Sequence, residues 1–162
     1  MVPSDIKHSF LPLDDPQAEI LILGSMPSDR SISLQQYYGH PQNRFWRVMA
    51  WLAASDLPAA YPDRCAMLRV HHIALWDVVC SARRVGSLDS AISDERVNDI
   101  AAFVAWHPFL RVIVFNGRKA EQLYDRYFDR FCGLRYCSLP STSAANAGQG
   151  LVILCERWSV IL

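Results

Sequence analysis

The sequence predicts an α/β protein, a three-layer α/β/α sandwich around a central four-stranded parallel sheet. Two observations carry that prediction. Four short apolar runs are each followed by a polar or small-residue loop, and amphipathic patterns fill most of the intervals between them. The runs are apolar on both faces, which suits a parallel sheet covered on each side. A length of 162 residues fits one domain spanning 1–162, long enough to bury about two-thirds of its unfolded surface.

Residues 1–18 contain three prolines and the pair Asp14-Asp15 and read as an extended lead-in packed on the surface. The first strand is Ile20-Leu21-Ile22-Leu23, before the loop Gly24-Ser25-Met26-Pro27-Ser28. Asn43 is placed to cap a helix whose residues Phe45, Trp46, Val48, Met49 and Leu52 recur on one face. The second strand, His72-Ile73-Ala74-Leu75, runs into Trp76-Asp77. Ser93-Asp94-Glu95 opens a helix through Val97, Ile100, Phe103 and Val104 that ends near Pro108. The third strand, Val112-Ile113-Val114-Phe115, precedes Asn116-Gly117, and a helix from Lys119 to Phe131 follows it. The fourth strand, Arg135-Tyr136-Cys137-Ser138-Leu139, leads into Pro140-Ser141-Thr142-Ser143. The tail from Leu151 to Leu162 reads as a helix, with a terminal strand as the alternative because of its β-branched content. Right-handed crossovers then gather all four loops at the C-terminal end of the sheet, where open α/β sheets place their ligand crevice.

Composition excludes several classes. No apolar run approaches the roughly 20 residues of a membrane span, and no basic stretch precedes an apolar one at the N-terminus, which predicts no secretory leader and a cytoplasmic protein. The five cysteines include no CxxC pair; buried thiols in a reducing compartment are expected rather than a zinc ribbon or a disulfide scaffold. Net charge is zero, yet fourteen of the sixteen basic residues are arginine, the better bidentate partner for phosphate. Bulk charge therefore neither supports nor excludes a nucleic-acid partner.

Gly24-Ser25-Met26-Pro27-Ser28 is neither a dinucleotide fingerprint nor a P-loop. In combination the motifs say more. Gly-x-x-Pro after the first strand, His40-Pro41-Gln42-Asn43-Arg44-Phe45-Trp46, and Pro140-Ser141-Thr142-Ser143 after the last strand together resemble the uracil-DNA glycosylase superfamily. With Tyr37-Tyr38, Leu75-Trp76-Asp77, Gly86-Ser87-Leu88-Asp89 and Phe115-Asn116-Gly117, the set looks closest to the hypoxanthine-DNA (deoxyinosine) glycosylase group. The resemblance covers residues 19–148. It implies the same sandwich fold and a monofunctional glycosylase of base excision repair, acting as a monomer on DNA that contains a deaminated base. Hypoxanthine comes first, with uracil and xanthine as further candidates, and no metal or cofactor is implied.

Such an enzyme extrudes its target nucleotide, stacks the base and reads its edge. For stacking, the resemblance points to Tyr37 and Tyr38, one covering the base while the other packs inward or touches DNA, with Tyr37 preferred. For the edge, Asn116 offers the acceptor and donors that match the lactam shared by uracil and hypoxanthine. A strand-end turn before Gly117 is the structural alternative for Asn116. Ser25 and Met26 join the base-binding set. Relatives carry Asp or Asn at the Met26 position to hold the hydrolytic water, and often His where Leu139 stands. Those departures pass the catalytic role to Asn43, with His40 as second candidate, and leave a non-catalytic DNA-binding member of the fold as the alternative function. Ser28, Arg44, Lys119, Ser141, Thr142 and Ser143 are expected to contact DNA, within a local basic face that includes Arg30, Arg47 and Arg118. Asp77 is expected to cap or to pair with Arg83 or Arg84 rather than to act as a base.

Overall fold

A computed structural model describes residues 6–146 and 148–162. Its central sheet has four strands, β2 (Ile20–Gly24), β3 (Ile73–Asp77), β6 (Val112–Asn116) and β7 (Arg135–Leu139). They lie in the order β3-β2-β6-β7, all parallel. Alternation along β2 and β6 sends Leu21, Leu23, Ile113 and Phe115 to one face and Ile20, Ile22, Val112 and Val114 to the other. The first face is covered by α4 (Ile100–Trp106) and α5 (Arg118–Tyr127). The second carries α2 (Phe45–Leu52), α3 (Tyr61–Val70) and α6 (Leu151–Trp158), with Phe45, Trp46 and Trp158 at its centre. Two apolar faces per strand thus produce the three layers. A short α1 (Asp29–Leu34) follows β2. No helix among the described residues is long and apolar enough to cross a membrane.

Several elements differ from their sequence expectation. A second sheet, antiparallel in the order β1-β4-β5, joins β1 (Ile6–His8), β4 (Val79–Arg83) and β5 (Ser93–Val97). The lead-in therefore contributes a strand, while its residues 1–5 lie outside the described region. Ser93-Asp94-Glu95 does not open a helix, because these residues pair with β4. The helix begins at Ile100 instead, where the Asp99 carboxylate accepts the Ala102 N–H at 3.0 Å. Helix α5 stops at Tyr127, since Phe128 turns extended and packs on Tyr124 (5.2 Å between rings). The tail is helical, its apolar side buried against the second face. Only Cys65 and Cys155 are buried; Cys80 and Cys132 are exposed, so the expectation of uniformly buried thiols does not hold.

Candidate active site

The C-terminal strand ends open into a cleft of about 980 Å³, walled by the loops after β2, β3, β6 and β7. Asn116, the last residue of β6, is its best-anchored polar group. Its Oδ1 accepts the Thr142 backbone N–H and its Nδ2 donates to Thr142 Oγ1, both at 3.0 Å. A backbone N–H can only donate, so the carboxamide cannot flip. Thr142 Oγ1, already accepting from Asn116, passes its own hydrogen to Asn43 Oδ1 at 2.9 Å, and the same oxygen accepts the Phe45 N–H at 2.9 Å. Backbone donors at each end therefore fix the polarity of the whole Asn116–Thr142–Asn43 chain. Asn116 keeps one lone pair and one N–H, the N–H directed at the Tyr38 hydroxyl. Asn43 has both lone pairs filled and keeps only its amide hydrogens.

Gly117 makes this approach possible. Its φ of 95° is left-handed, and a Cβ there would meet Ser141 Cβ at 3.0 Å. The turn that was the structural alternative for Asn116 is made by Gly117, leaving Asn116 regular in the strand.

The adjacent tyrosines divide their duties, in the reverse of the preferred order. Tyr37 is a core residue: its hydroxyl donates to the Leu11 carbonyl at 2.8 Å, and its backbone is gripped by Tyr61 and Trp46. Tyr38, left-handed at φ 54°, stacks on Phe45 with ring centroids 4.0 Å apart and brings its buried hydroxyl to the cleft floor. Such a conformation for a bulky residue stores backbone strain, as binding sites often do. Tyr37→Phe is expected to lower stability by about 1 kcal/mol in urea unfolding, the usual net worth of one hydrogen bond.

His40 is exposed at the rim, where its Nδ1 accepts the Gln42 N–H at 3.1 Å, leaving Nε2 for outside partners. Met26 and Leu139 form buried apolar walls. Ser25 Oγ donates to the Asp89 carboxylate at 2.5 Å, tying the loop after β2 to the segment that follows β4.

Among the residues expected on DNA, the structure separates two kinds. Thr142 is fully buried with its hydroxyl spent on the two asparagines, so it positions them rather than meeting a phosphate. Ser28 caps α1 by accepting the Ser31 N–H at 3.1 Å. Arg44 points inward and donates to the Gln149 and Asn146 carbonyls at 2.5 and 2.8 Å, holding the loop that follows β7. Lys119 sits on the first turn of α5, outside the cleft lining. Ser141 and Ser143 do line the cleft. Each hydroxyl oxygen accepts a backbone N–H two residues ahead, which pre-folds the loop and leaves each O–H free to donate. Arg118 and Arg157 supply the cationic wall of the cleft, and Arg157 had no motif to mark it.

Asp77 is the least expected member. It is 3% exposed, its Oδ2 has no hydrogen-bond partner among the described residues, and it forms no ion pair with Arg83 or Arg84. Arg83 pairs with Asp94, while the buried Arg84 guanidinium donates to the Pro27 carbonyl. Burial pushes the Asp77 carboxyl up to about 7; the nearby Asp89 adds to the rise and Arg84 opposes it.

This arrangement agrees with what the chain is similar to. Residues 11–157 match the family model described as the uracil DNA glycosylase superfamily. The chain belongs to that superfamily. It is 45% identical over 142 residues to a hypoxanthine DNA glycosylase of Methanosarcina acetivorans, covering 87% of this chain and 89% of that relative. A hypoxanthine DNA glycosylase of Methanosarcina barkeri is 40% identical over 141 residues, 86% of this chain and 88% of the relative. The solution NMR structure of a candidate uracil DNA glycosylase from Methanosarcina acetivorans superposes with a TM-score of 0.82 at 39% identity. It covers 96% of this chain and 98% of that one. The cleft elements of this chain follow its strands in chain order. The Asn116–Thr142–Asn43 chain joins three of them.

Proposed function

We propose that this superfamily member is a monofunctional DNA glycosylase that releases hypoxanthine, and secondarily uracil or xanthine, from deaminated DNA, acting as a monomer in the cytoplasm. The observation that carries the proposal is the orientation-locked Asn116 carboxamide at the cleft floor. Thr142 holds the edge on which the amide oxygen and N–H run parallel, and the N–H that remains answers the C=O of a lactam. Adenine presents the reverse order, a bare ring nitrogen beside an amine, and a carboxamide unable to flip does not follow that reversal. Tyr38 lies beside Asn116 as the stacking ring, and the strand-end loops leave room for an extruded purine.

Bond cleavage sends negative charge to the base and positive charge to the sugar. Asn43, with its oxygen doubly committed, acts as a donor: its Nδ2 holds the water oxygen through one lone pair and leaves the other to attack C1′, with His40 Nε2 at the rim as the alternative donor. An oxocarbenium-like sugar is electrophilic enough for positioning to matter more than deprotonation. Ser141 and Ser143 donate to phosphates of the bent strand, and Arg118 and Arg157 make the affinity salt-dependent. The exposed Cys80 and Cys132 thiols suit a reducing compartment.

Oligonucleotides with one deoxyinosine or deoxyuridine, incubated with the protein and then treated with alkali, test the proposal. Scission at deoxyinosine after alkali, and none without it, is expected. Tight DNA binding with no base release from either substrate, in duplex or single strand, would instead support a non-catalytic DNA-binding protein. The apolar walls at Met26 and Leu139 give that second reading its basis.

A further inference from the structure

Asp77, Gly24 and Asn116 end three neighbouring strands. Gly24 pairs with Asp77 in the β2–β3 register, and Leu23 pairs with Phe115, which brings Asn116 to the other side of Gly24. Adjacent strands are about 4.8 Å apart, so two polar side chains flank a position that has none. The gap is shaped by the glycine. A Cβ on Gly24 would sit 2.5 Å from Asp77 Oδ1 and 3.1 Å from the Tyr38 hydroxyl. Asp77 Oδ2 is buried without a hydrogen-bond partner among the described residues, the buried Tyr38 hydroxyl faces Asn116, and both Asp77 and Tyr38 line the cleft. An unpaired buried carboxyl is costly, and its position on the floor indicates that the partner is the ligand.

Given the glycosylase activity proposed above, on which this inference rests, we propose that Asp77 in its protonated form donates a hydrogen bond, and then its proton, to the departing base. The step balances. The C1′–N bond breaks with its electron pair passing to the base, and the Asp77 proton moves to an acceptor of that base, such as O6 or N7 of hypoxanthine. Water adds to C1′, and the proton it sheds restores the carboxyl. Asp77 thereby provides the leaving-group donor that Leu139 cannot. An ionised carboxylate at the same place would oppose the anion forming on the base.

The charged and titratable groups facing Asp77 are Asp89 and Arg84, both from the segment after β4, and the phenols of Tyr37 and Tyr38. Burial raises both phenols, so they stay neutral. Burial first and Asp89 second raise Asp77 to about 7. The donating form is therefore present below that pH and is lost as pH rises through it, the opposite sign to a carboxylate general base.

Single-turnover release of hypoxanthine from saturating deoxyinosine DNA, followed from pH 5.5 to 9, tests this on the wild-type protein and on Asp77→Asn and Asp77→Ala. The wild-type rate is expected to fall about tenfold per unit above roughly pH 7. Asp77→Asn, which keeps a donor that does not titrate, should lose that alkaline fall. Asp77→Ala should be slower by roughly 100-fold or more at pH 6.5, with DNA affinity retained. A wild-type rate that rises through pH 7, or an unchanged alkaline fall in Asp77→Asn, overturns the role of Asp77 while leaving the glycosylase proposal intact. Absence of base release by the wild-type protein at every pH would instead remove the activity on which the inference rests. The wild-type profile decides the sign even if a variant folds poorly.

Discussion

Asn43→Ala is expected to slow hypoxanthine release by roughly 100- to 1,000-fold under single-turnover conditions, the range for removing one positioned hydrogen-bonding group. DNA affinity should change little, because Asn43 contributes no charge. The variant also loses the acceptor of the Phe45 N–H and of the Thr142 hydroxyl, so a stability loss of about 1 kcal/mol accompanies it. Asn43→Ser separates the two effects. A serine oxygen can cap Phe45 and recover most of the lost stability, but it lacks the amide hydrogens that face the cleft. Restored stability with persistent slow release assigns the rate to the amide. Recovery of the rate in Asn43→Ser, or unchanged release in Asn43→Ala, would remove Asn43 from the mechanism.

Asn116→Ala should have the second large effect, a loss of roughly 100-fold or more in kcat/KM for deoxyinosine DNA, since the donor that reads the base carbonyl disappears and Thr142 loses its anchor. It also strands the Thr142 N–H in a buried position, while the Thr142 hydroxyl keeps Asn43, at a cost of about 1–3 kcal/mol. Thr142→Ser is the companion measurement. It keeps the hydroxyl that links the two asparagines, so release should stay near the wild-type rate. Thr142→Val removes that hydroxyl and should lower kcat more than it raises KM, since the groups it frees are positioning groups. Equal loss in the serine and valine variants would mean that the hydroxyl bridge has no part in the rate.

The elements that the sequence announced were those whose periodicity is self-contained. Of the four core strands, β2, β3 and β6 matched closely because they are apolar on both faces, the edge strand β7 matched although only Leu139 in it is buried, and α6 was visible in its apolar stripe. The segment 93–97 failed because its conformation is set by pairing with β4, a partner distant in sequence and lacking a strong alternating pattern. Site residues divided along the same line. Asn43, Asn116 and Ser141 were legible from motifs tied to strand ends. Tyr37 was preferred over Tyr38 from the sequence, whereas the left-handed backbone at Tyr38 decides how that ring turns. Thr142 was misjudged for a similar reason: a hydroxyl in a loop suits phosphate contact equally well until burial closes that route.

Sequence alone determined the fold class, the superfamily and the loop cluster that forms the site, since these follow from local pattern and residue order. Only the tertiary structure decided the polarity of the Asn116–Thr142–Asn43 chain, because that depends on which backbone N–H groups meet each side chain. The isolation of Asp77 is the same kind of fact. A carboxylate a few residues before Arg83 and Arg84 can pair with either on paper, and only packing shows that both turn elsewhere. What remains is a buried carboxyl facing the gap above Gly24, held there by the register of two parallel strands.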